Sequence, residues 1–204
     1  MAKRNRSTTR SISSDAILSV AKQLFSEKGY RGTSIQDIAK NLKVSKPALY
    51  YYFKNKMEIL KNLHSKAFEE LSLTTQPIID LDIPLDQKIK KLIENQICIV
   101  VKNVELVKIF FQDEREFPRS VIVGIKEKRR KLTEQWIQIY KMGVQAGLFR
   151  DIDPMLAVYT IMGACNWIHM WYSSKGELKE DQVAKIVSDF LYMGYSTVPS
   201  RPKR

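Results

Sequence analysis

The sequence is poor in the residues that build metal centres and disulfide frameworks. Its 204 residues include two cysteines and two histidines. Cys98 and Cys165 both fall in apolar stretches, where a free thiol in a reducing compartment behaves as a small hydrophobic group. No metal-ligand spacing joins them to His64 or His169. We therefore expect no disulfide, no metal site and no cofactor.

Long apolar runs are also missing. No segment approaches 18 uninterrupted apolar residues, so we expect neither a membrane span nor a membrane partner. Residues 1–10 are basic and rich in serine and threonine, without the apolar core of a secretory signal. We expect these residues to form a disordered basic arm and the protein to be cytoplasmic.

Sequence features of an enzyme are scarce. The chain has no glycine-rich phosphate loop and no nucleophile elbow. Cys165 and His169, four residues apart on an expected helix, form the one catalytic-looking pair, and packing is the favoured explanation for both. We predict that the protein is not an enzyme. A helical enzyme acting on acyl groups is kept as a remote alternative, which a CoA-thioester turnover assay would test.

Positive charge is concentrated at the two ends of the chain. The formal net charge is +12, from 34 basic and 22 acidic residues. Residues 1–64 hold 13 basic and 4 acidic residues, residues 201–204 add three basic ones, and residues 65–200 hold 18 of each sign. A basic head on a neutral body is the charge pattern of a DNA-binding domain joined to a domain with another task.

Capping residues in the head predict two short, adjacent helices. Hydroxyls at Thr33-Ser34, with Gln36 or Asp37 three residues later, predict a capping box at the first helix. Its apolar residues follow helical spacing: Ile35, Ile38, Ala39 and Leu42. Ser45 caps the second helix, and Pro47 falls in its first turn, where a missing N–H is tolerated. Two such helices joined by a short turn predict a helix-turn-helix, whose second helix enters the major groove of DNA.

Tyrosine and lysine placement supports a DNA-binding surface. Tyr50, Tyr51 and Tyr52 are consecutive and cannot all face the core of one helix, so at least one hydroxyl should reach a phosphate. Lys56 is expected at the first position of the next helix, where a cation opposes the helix dipole. This unfavourable placement indicates a phosphate contact, although a solvated surface lysine would also satisfy it.

Residues Ile17–Leu60 resemble the N-terminal domain of the TetR family of transcriptional regulators. The resemblance rests on Ala21, Leu24, Phe25, Gly29, Tyr30, Thr33, Ile38, Ala39, Val44, Ser45, Leu49, Tyr50, Phe53 and Lys56. It implies an all-α homodimer with a DNA-binding head and a helical ligand-binding body of about nine helices in total. The implied DNA contacts are Thr33, Ser45, Lys46, Pro47, Tyr50, Tyr51 and Lys56. Pro47 and Tyr52 stand where glycine and histidine are frequent, which leaves the base preference open.

The rest of the chain predicts further helices and gives the domain boundaries. We expect a helix-turn-helix domain over residues 11–56 and a connecting helix over 57–76, which breaks near Pro77. A ligand-binding and dimerisation domain over 77–197 and a basic tail over 198–204 would follow. By the same resemblance, the last two helices would pack against their copies in a four-helix interface, since a two-fold operator needs two heads.

Aromatic and polar residues of the body indicate a ligand site. Asn166 lies among apolar neighbours and needs a partner if it is buried. The pattern Asn166-Trp167, Trp171-Tyr172 and Gly176 resembles the TetR subgroup that senses CoA thioesters, which implies an acyl-CoA effector whose chain lies in an apolar tunnel. The expected ligand residues are Phe111, Arg115, Trp136, Tyr140, Asn166, Trp167, Met170 and Trp171. Basic candidates for the CoA phosphates are Arg115, Arg119, Lys126, Arg129 and Arg130. The cluster formed by Lys126 and residues 128–131 could equally be a solvated helix face, which is the slightly favoured interpretation.

These observations predict a transcriptional repressor that binds a palindromic operator as a dimer and is released by a fatty acyl-CoA or related thioester. The alternative is a TetR-type repressor that senses an amphipathic, drug-like molecule held by aromatic rings.

Overall fold

The structure, a computed structural model, describes residues 12–113, 119–173 and 175–197. Within these ranges the chain forms nine α-helices and no β-sheet. The helices are α1 (Ser14–Gly32), α2 (Ile35–Leu42), α3 (Lys46–Tyr52), α4 (Lys56–Asp80), α5 (Leu85–Lys102), α6 (Val104–Asp113), α7 (Arg119–Gln145), α8 (Pro154–Trp167) and α9 (Glu180–Tyr195). The predicted all-α class is confirmed. The expected basic arm and basic tail lie outside the described residues.

The chain divides into two compact units between Leu63 and His64. The first unit contains α1 to α3 and the start of α4. Gly29 interrupts α1 with φ 73° and ψ 165°, a backbone conformation that glycine adopts without the steric cost of a Cβ. After α1 ends at Gly32, a short turn at Thr33 and Ser34 leads into α2.

Helix α4 is longer than the sequence predicts. We expected a break at residues 74–77, but α4 continues through Pro77 to Asp80. Thr75 is buried and its hydroxyl accepts a hydrogen bond from Asn95 Nδ2 at 3.2 Å, while Ile78 and Ile79 pack against the core. This packing outweighs the backbone hydrogen bond that proline cannot make. The predicted connecting helix over 57–76 therefore ends four residues too early.

The second unit has a core centred on α5, α7, α8 and α9. Its largest fully buried side chains include Trp136, Tyr140 and Phe149. The Phe149 ring lies over the backbone of α7 at Gly143, so closely that a Cβ at position 143 would be 2.0 Å from ring atom Cδ2. Gly147, with φ 69°, follows the end of α7.

The end of α9 is hydrogen-bonded to the segment between α7 and α8. The Arg150 N–H donates to the Tyr195 carbonyl at 2.8 Å, and the Thr197 N–H donates to the Leu148 carbonyl at 3.1 Å. Phe149 and Ser196 form an antiparallel bridge between these bonds. We refer to these paired residues, 148–150 and 195–197, as the clasp.

In the part of the chain that the structure describes, no helix combines the length and the apolar character needed to cross a membrane.

Candidate functional site

Helix α3 presents two tyrosines to solvent. It begins after Ser45, whose hydroxyl accepts from the Ala48 N–H at 3.4 Å. Leu49 and Phe53 are buried, and they fix which face of α3 points inward. Tyr50 is 49% exposed and Tyr51 is 85% exposed. Lys46 and Pro47, in the first turn, are exposed as well.

The third tyrosine of the run points the other way. The Tyr52 hydroxyl donates to the Ile12 carbonyl at 2.5 Å, and its ring meets the Tyr51 ring edge-on with centroids 5.2 Å apart. The trio is thus divided into two outward phenols and one that attaches α3 to the start of α1. This division fulfils the expectation that the three could not share one environment.

The turn between α2 and α3 is built from caps and one left-handed residue. Ser34 caps α2 and forms a complete capping box with Asp37. The hydrogen bond from the Ser34 hydroxyl lowers the pKa of the Asp37 carboxyl, and the Ser34 N–H contributes in the same direction. Lys43 ends α2 in the left-handed region with φ 57°. The predicted geometry of two helices around a tight turn is confirmed.

Thr33 does not offer its side chain to DNA, contrary to the expectation. It is 1% exposed, and its hydroxyl is within 3.1 Å of the Leu24 carbonyl and 2.9 Å of the Gly29 carbonyl. A buried hydroxyl that donates to two backbone carbonyls is a structural element of the turn that follows α1. The sequence shows a hydroxyl at a helix start, but it does not show that Ser34 supplies the cap.

Lys56 has a structural role in the head. Its ammonium group donates to the Tyr30 carbonyl at 2.6 Å and to the Thr33 carbonyl at 2.7 Å. It also lies 4.2 Å from the centroid of the Tyr30 ring, a cation–π contact. These contacts explain why a cation is tolerated at the start of α4. A phosphate contact by the same residue remains a prediction.

The second unit contains a cavity of about 550 Å³, within the range of small-molecule sites. Five α-helices and the 3₁₀ turn Ile168–Met170 line it. The lining residues are His64, Ala67, Phe68 and Leu71 of α4; Gln96, Ile99 and Val100 of α5, with Asn103 after it; Leu106, Val107 and Phe111 of α6; Arg129 and Leu132 of α7; Tyr159, Met162, Gly163, Asn166 and Trp167 of α8; and His169 and Met170 of the turn. Because Tyr159, Trp167 and Met170 are more than half exposed, this side of the cavity is open.

A small polar group stands in this apolar lining. The Gln96 Nε2 donates to the Asn166 Oδ1 at 3.1 Å, which supplies the partner that the sequence requires for Asn166. The backbone carbonyl of Asn166 accepts a hydrogen bond from His169 Nδ1 at 2.5 Å, so Nδ1 carries a proton. The His169 ring stacks on the Phe111 ring with centroids 5.0 Å apart. The polar residues therefore connect α5, α8 and the 3₁₀ turn.

Charge in the described lining has one sign. Arg129 lines the cavity, and none of the described lining residues is acidic. Its neighbour Arg130 instead donates to Glu127 and Glu134 on the exposed face of α7. Lys126 and Arg119 are exposed and do not line the cavity. Of the basic candidates in the described residues, the structure brings Arg129 to the site, and Arg115 lies outside those residues.

Half of the expected ligand residues line the cavity. Phe111, Asn166, Trp167 and Met170 do so. The expectation that Trp136 and Tyr140 contact the ligand is wrong, because both residues are buried in the core. The Tyr140 hydroxyl donates to the Arg150 carbonyl at 3.1 Å. Trp171 is exposed and lies outside the lining.

Sequence reasoning overlooked several lining residues. Gln96 had a readable signal, since it is a polar residue within the apolar stripe of α5. Asn103 and His169 are buried polar residues of the same wall, and the sequence gives no sign of where their side chains point. The four lining residues of α4 were hidden by the expectation that this helix serves as a connector.

The Cys165 thiol is not a nucleophile. Cys165 is fully buried, and burial raises the pKa of its thiol to about 12. A protonated, inaccessible thiol cannot attack a substrate. The catalytic-looking pair with His169 is therefore a packing arrangement.

Helices α8 and α9 carry exposed apolar side chains. They are Met155, Leu156, Tyr159 and Trp167 on α8, and Ile186, Phe190 and Met193 on α9. Scattered exposed apolar residues are normal, but a series of large ones on two helices indicates a surface for association.

A helix-turn-helix with an outward-facing second helix, joined to a helical unit with a ligand-sized cavity, defines a DNA-binding, ligand-responsive regulator. Two family profiles match the chain. "Bacterial regulatory proteins, tetR family" covers residues 17–63, and "Tetracyclin repressor-like, C-terminal domain" covers residues 82–195. The chain therefore belongs to the TetR family of transcriptional regulators. This confirms the predicted family and the DNA-binding character of the head.

Individual relatives match over most of their length. The transcriptional repressor KstR2 of Mycolicibacterium smegmatis is 26% identical over 178 residues, which covers 84% of each chain. The crystal structure of a TetR/AcrR-family regulator from Thermobifida fusca is 30% identical, covers 89% of this chain and 97% of its own, and has a TM-score of 0.75. The crystal structure of AibR in complex with isovaleryl coenzyme A and operator DNA is 23% identical, covers 88% and 97%, and has a TM-score of 0.77.

Proposed function

We propose that this protein represses transcription by binding a palindromic operator as a homodimer, and that a CoA thioester in the cavity releases it. The observation that carries the proposal is the cavity itself. Its lining is mainly apolar, includes Arg129 and contains no acidic residue among those described. An acyl chain suits the apolar walls, and an arginine suits a phosphate group of CoA.

DNA binding is assigned to the exposed side of α3. Lys46 would contact phosphate, the phenols of Tyr50 and Tyr51 would donate to the backbone or to base edges, and Ser45 and Pro47 would border the groove. Thr33 is left out of this set because its hydroxyl is internally bonded. Lys56 stays in the set as a proposed phosphate contact, in addition to its structural bonds.

Dimerisation is assigned to the exposed apolar residues of α8 and α9. Phe190 is 70% exposed and Leu156 is 61% exposed, so burying them between two copies would be favourable. A charge substitution such as Phe190→Asp should dissociate the dimer and abolish operator binding. Sedimentation of this variant would check the result, and a variant that stays dimeric would contradict the assignment.

The alternative effector, an amphipathic cation, fits the lining less well. Aromatic residues such as Phe68, Phe111 and Trp167 could hold a flat molecule, but a buried cation also needs a compensating negative charge. The described lining offers Arg129 instead. AibR, one of the structural relatives, holds isovaleryl coenzyme A together with its operator, which supports a CoA thioester as the class to test first.

Coupling between ligand and DNA is assigned to α4. The helix begins at Lys56, which is bonded to residues of the DNA-binding head, and its residues His64, Phe68 and Leu71 line the cavity. A ligand that favours one position of α4 changes operator affinity, and operator DNA must change ligand affinity by the same factor. The proposed direction is release.

Operator release by defined ligands tests the proposal. A site selected from random duplexes would be labelled and its anisotropy followed with isovaleryl-CoA, palmitoyl-CoA, free CoA and a cationic dye. We expect release by a thioester and none by the dye. Arg129→Gln should weaken release by the thioester, whereas the matched change Arg130→Gln, at a solvent-exposed ion pair, should not. Release by the dye alone would reject the CoA thioester.

Identification of co-purified molecules gives a second test that assumes no ligand class. Organic extraction of the purified dimer, followed by mass spectrometry, should yield a CoA thioester or its acyl group. The extraction could instead yield a different amphipathic molecule, at one equivalent per chain or less. If that molecule releases the operator, it replaces the CoA thioester as the proposed effector.

A further inference from the structure

Gln96 is a buried polar residue whose hydrogen bonding is incomplete. It is 8% exposed and stands in the apolar stripe of α5, between Leu92 and Val100. Its Nε2 donates to Asn166, but its Oε1 is out of reach of solvent and has no hydrogen-bond partner among the described residues. Natural proteins leave few buried acceptors unpaired, so each such atom requires an explanation.

The location of Gln96 supplies an explanation for its unpaired acceptor. Gln96 and Asn166 are bonded to each other and both line the cavity. With the bond between them made, the two carboxamides still present the Gln96 Oε1 acceptor and the N–H groups of Asn166 Nδ2, which together can complement a secondary amide or a hydroxyl group. The Gln96 carboxamide turns as one unit about a terminal torsion with a broad energy profile, so a small rotation can direct Oε1 towards a donor in the cavity.

We propose that the Gln96–Asn166 pair recognises a hydrogen-bond donor on the effector, either an amide N–H or a hydroxyl, next to its apolar part. The inference rests on the proposed ligand-sensing function of the cavity and specifies the effector more closely. A hydrocarbon chain with an ester or no polar group would fill the apolar walls and leave Gln96 unpaired. A secondary amide, such as those in the pantetheine arm of CoA, would pair with it.

A shape-matched ligand pair tests this recognition without assuming CoA. Octananilide and phenyl octanoate differ in one N–H replaced by oxygen. Tryptophan fluorescence can follow binding because Trp167 lines the cavity. We expect the wild-type protein to prefer the amide by about tenfold, the effect of one buried donor–acceptor pair. Equal binding of the two compounds, or binding of neither, overturns the inference.

Two variants separate recognition from packing. Gln96→Met keeps the length of the side chain and should remove the preference for the amide. The thermal midpoint should change little, because the variant loses an unpaired buried acceptor and also the hydrogen bond to Asn166. Gln138→Met makes the same substitution at an exposed position of α7 outside the cavity lining and should keep the preference. A preference that survives in Gln96→Met overturns the inference. Failure of CoA thioesters to release the operator would reject the proposed effector class, and the amide-to-ester ratio would still report on Gln96.

Discussion

Replacing Gly143 with alanine should destabilise the body of this protein severely for a change of one methyl group. The added Cβ would lie 2.0 Å from Cδ2 and 2.1 Å from Cε2 of Phe149. Carbon atoms in contact are normally about 3.5–4.0 Å apart, so the ring would have to move by about 1.5 Å. Phe149 is held between Tyr140 and Tyr195, with ring centroids 5.3 Å from each, and has no space for such a movement.

The expected magnitude follows from two opposing effects. Overpacking a core costs about 1–3 kcal/mol, and sometimes more where a ring is displaced. Alanine gains up to about 1 kcal/mol over glycine within a helix. Since the overlap at Gly143 is larger than rotamer adjustment can absorb, we expect a gross cost just above this range, about 3–4 kcal/mol, and therefore a net loss of about 2–3 kcal/mol. For a chain of this size that lowers the thermal midpoint by about 5–10 °C.

The same substitution elsewhere in α7 provides the control. A Cβ at Gly124 would meet nothing within 4 Å, so Gly124→Ala should be neutral or raise the midpoint slightly through helix propensity. Midpoints are compared at equal protein concentration, because dimerisation shifts them. A double-mutant cycle with Phe149→Ala should show that the cost of Gly143→Ala largely disappears when the ring is absent. Equal midpoints for Gly143→Ala and Gly124→Ala would refute this account of the packing.

Four further predictions concern the DNA-binding head. Lys46→Ala should weaken operator binding and lower the slope of log affinity against log salt by about one per head; an unchanged slope in a salt titration would reject the phosphate contact. Tyr50→Phe should weaken binding at an unchanged thermal midpoint, whereas a large loss of stability would show that Tyr50 is part of the core. Lys56→Met should lower the thermal midpoint of the head as well as DNA affinity, because two carbonyls lose their donor; a loss of affinity alone would favour a pure phosphate contact. Asp37→Asn should destabilise the head at neutral pH. The pKa of the Asp37 carboxyl is lower in the folded state than its unfolded value of 3.8, so the ionised carboxylate stabilises the fold at pH values above 3.8. The stability deficit of Asp37→Asn should therefore vanish as the pH falls through the folded-state pKa. A deficit that is independent of pH would contradict the hydrogen bond to Ser34.

The sequence predicts the helix boundaries of the head well because they depend on local chemistry. Capping by Ser34 and Ser45 is decided within three or four residues, and the structure shows both caps. Thr33 shows the limit of such reasoning. Its hydroxyl is turned inwards by Leu24 and Gly29, and a contact across nine residues leaves no local pattern.

The ligand cavity was predicted less completely, for a physical reason. Helical spacing shows that Trp136 and Tyr140 face inward, but core and cavity walls are both inward and both apolar. Whether an inward-facing residue lies in the core or in the cavity wall depends on which neighbouring helices are separated by a gap, and the packing angles of the helices decide this. Polar residues in apolar stripes were the more reliable signal, and Gln96 and Asn166 are bonded to each other across α5 and α8.

The clasp at residues 148–150 and 195–197 has a consequence for how the body opens. Its backbone bonds join the last turn of α9 to the segment before α8, so α9 cannot fray from its C-terminal end without also releasing that segment. The amide hydrogens of Arg150 and Thr197 should therefore exchange with solvent at similar rates, as members of one cooperative unit. Endoproteases that cut unfolded segments should consequently cleave the head or the exposed loops before they remove α9.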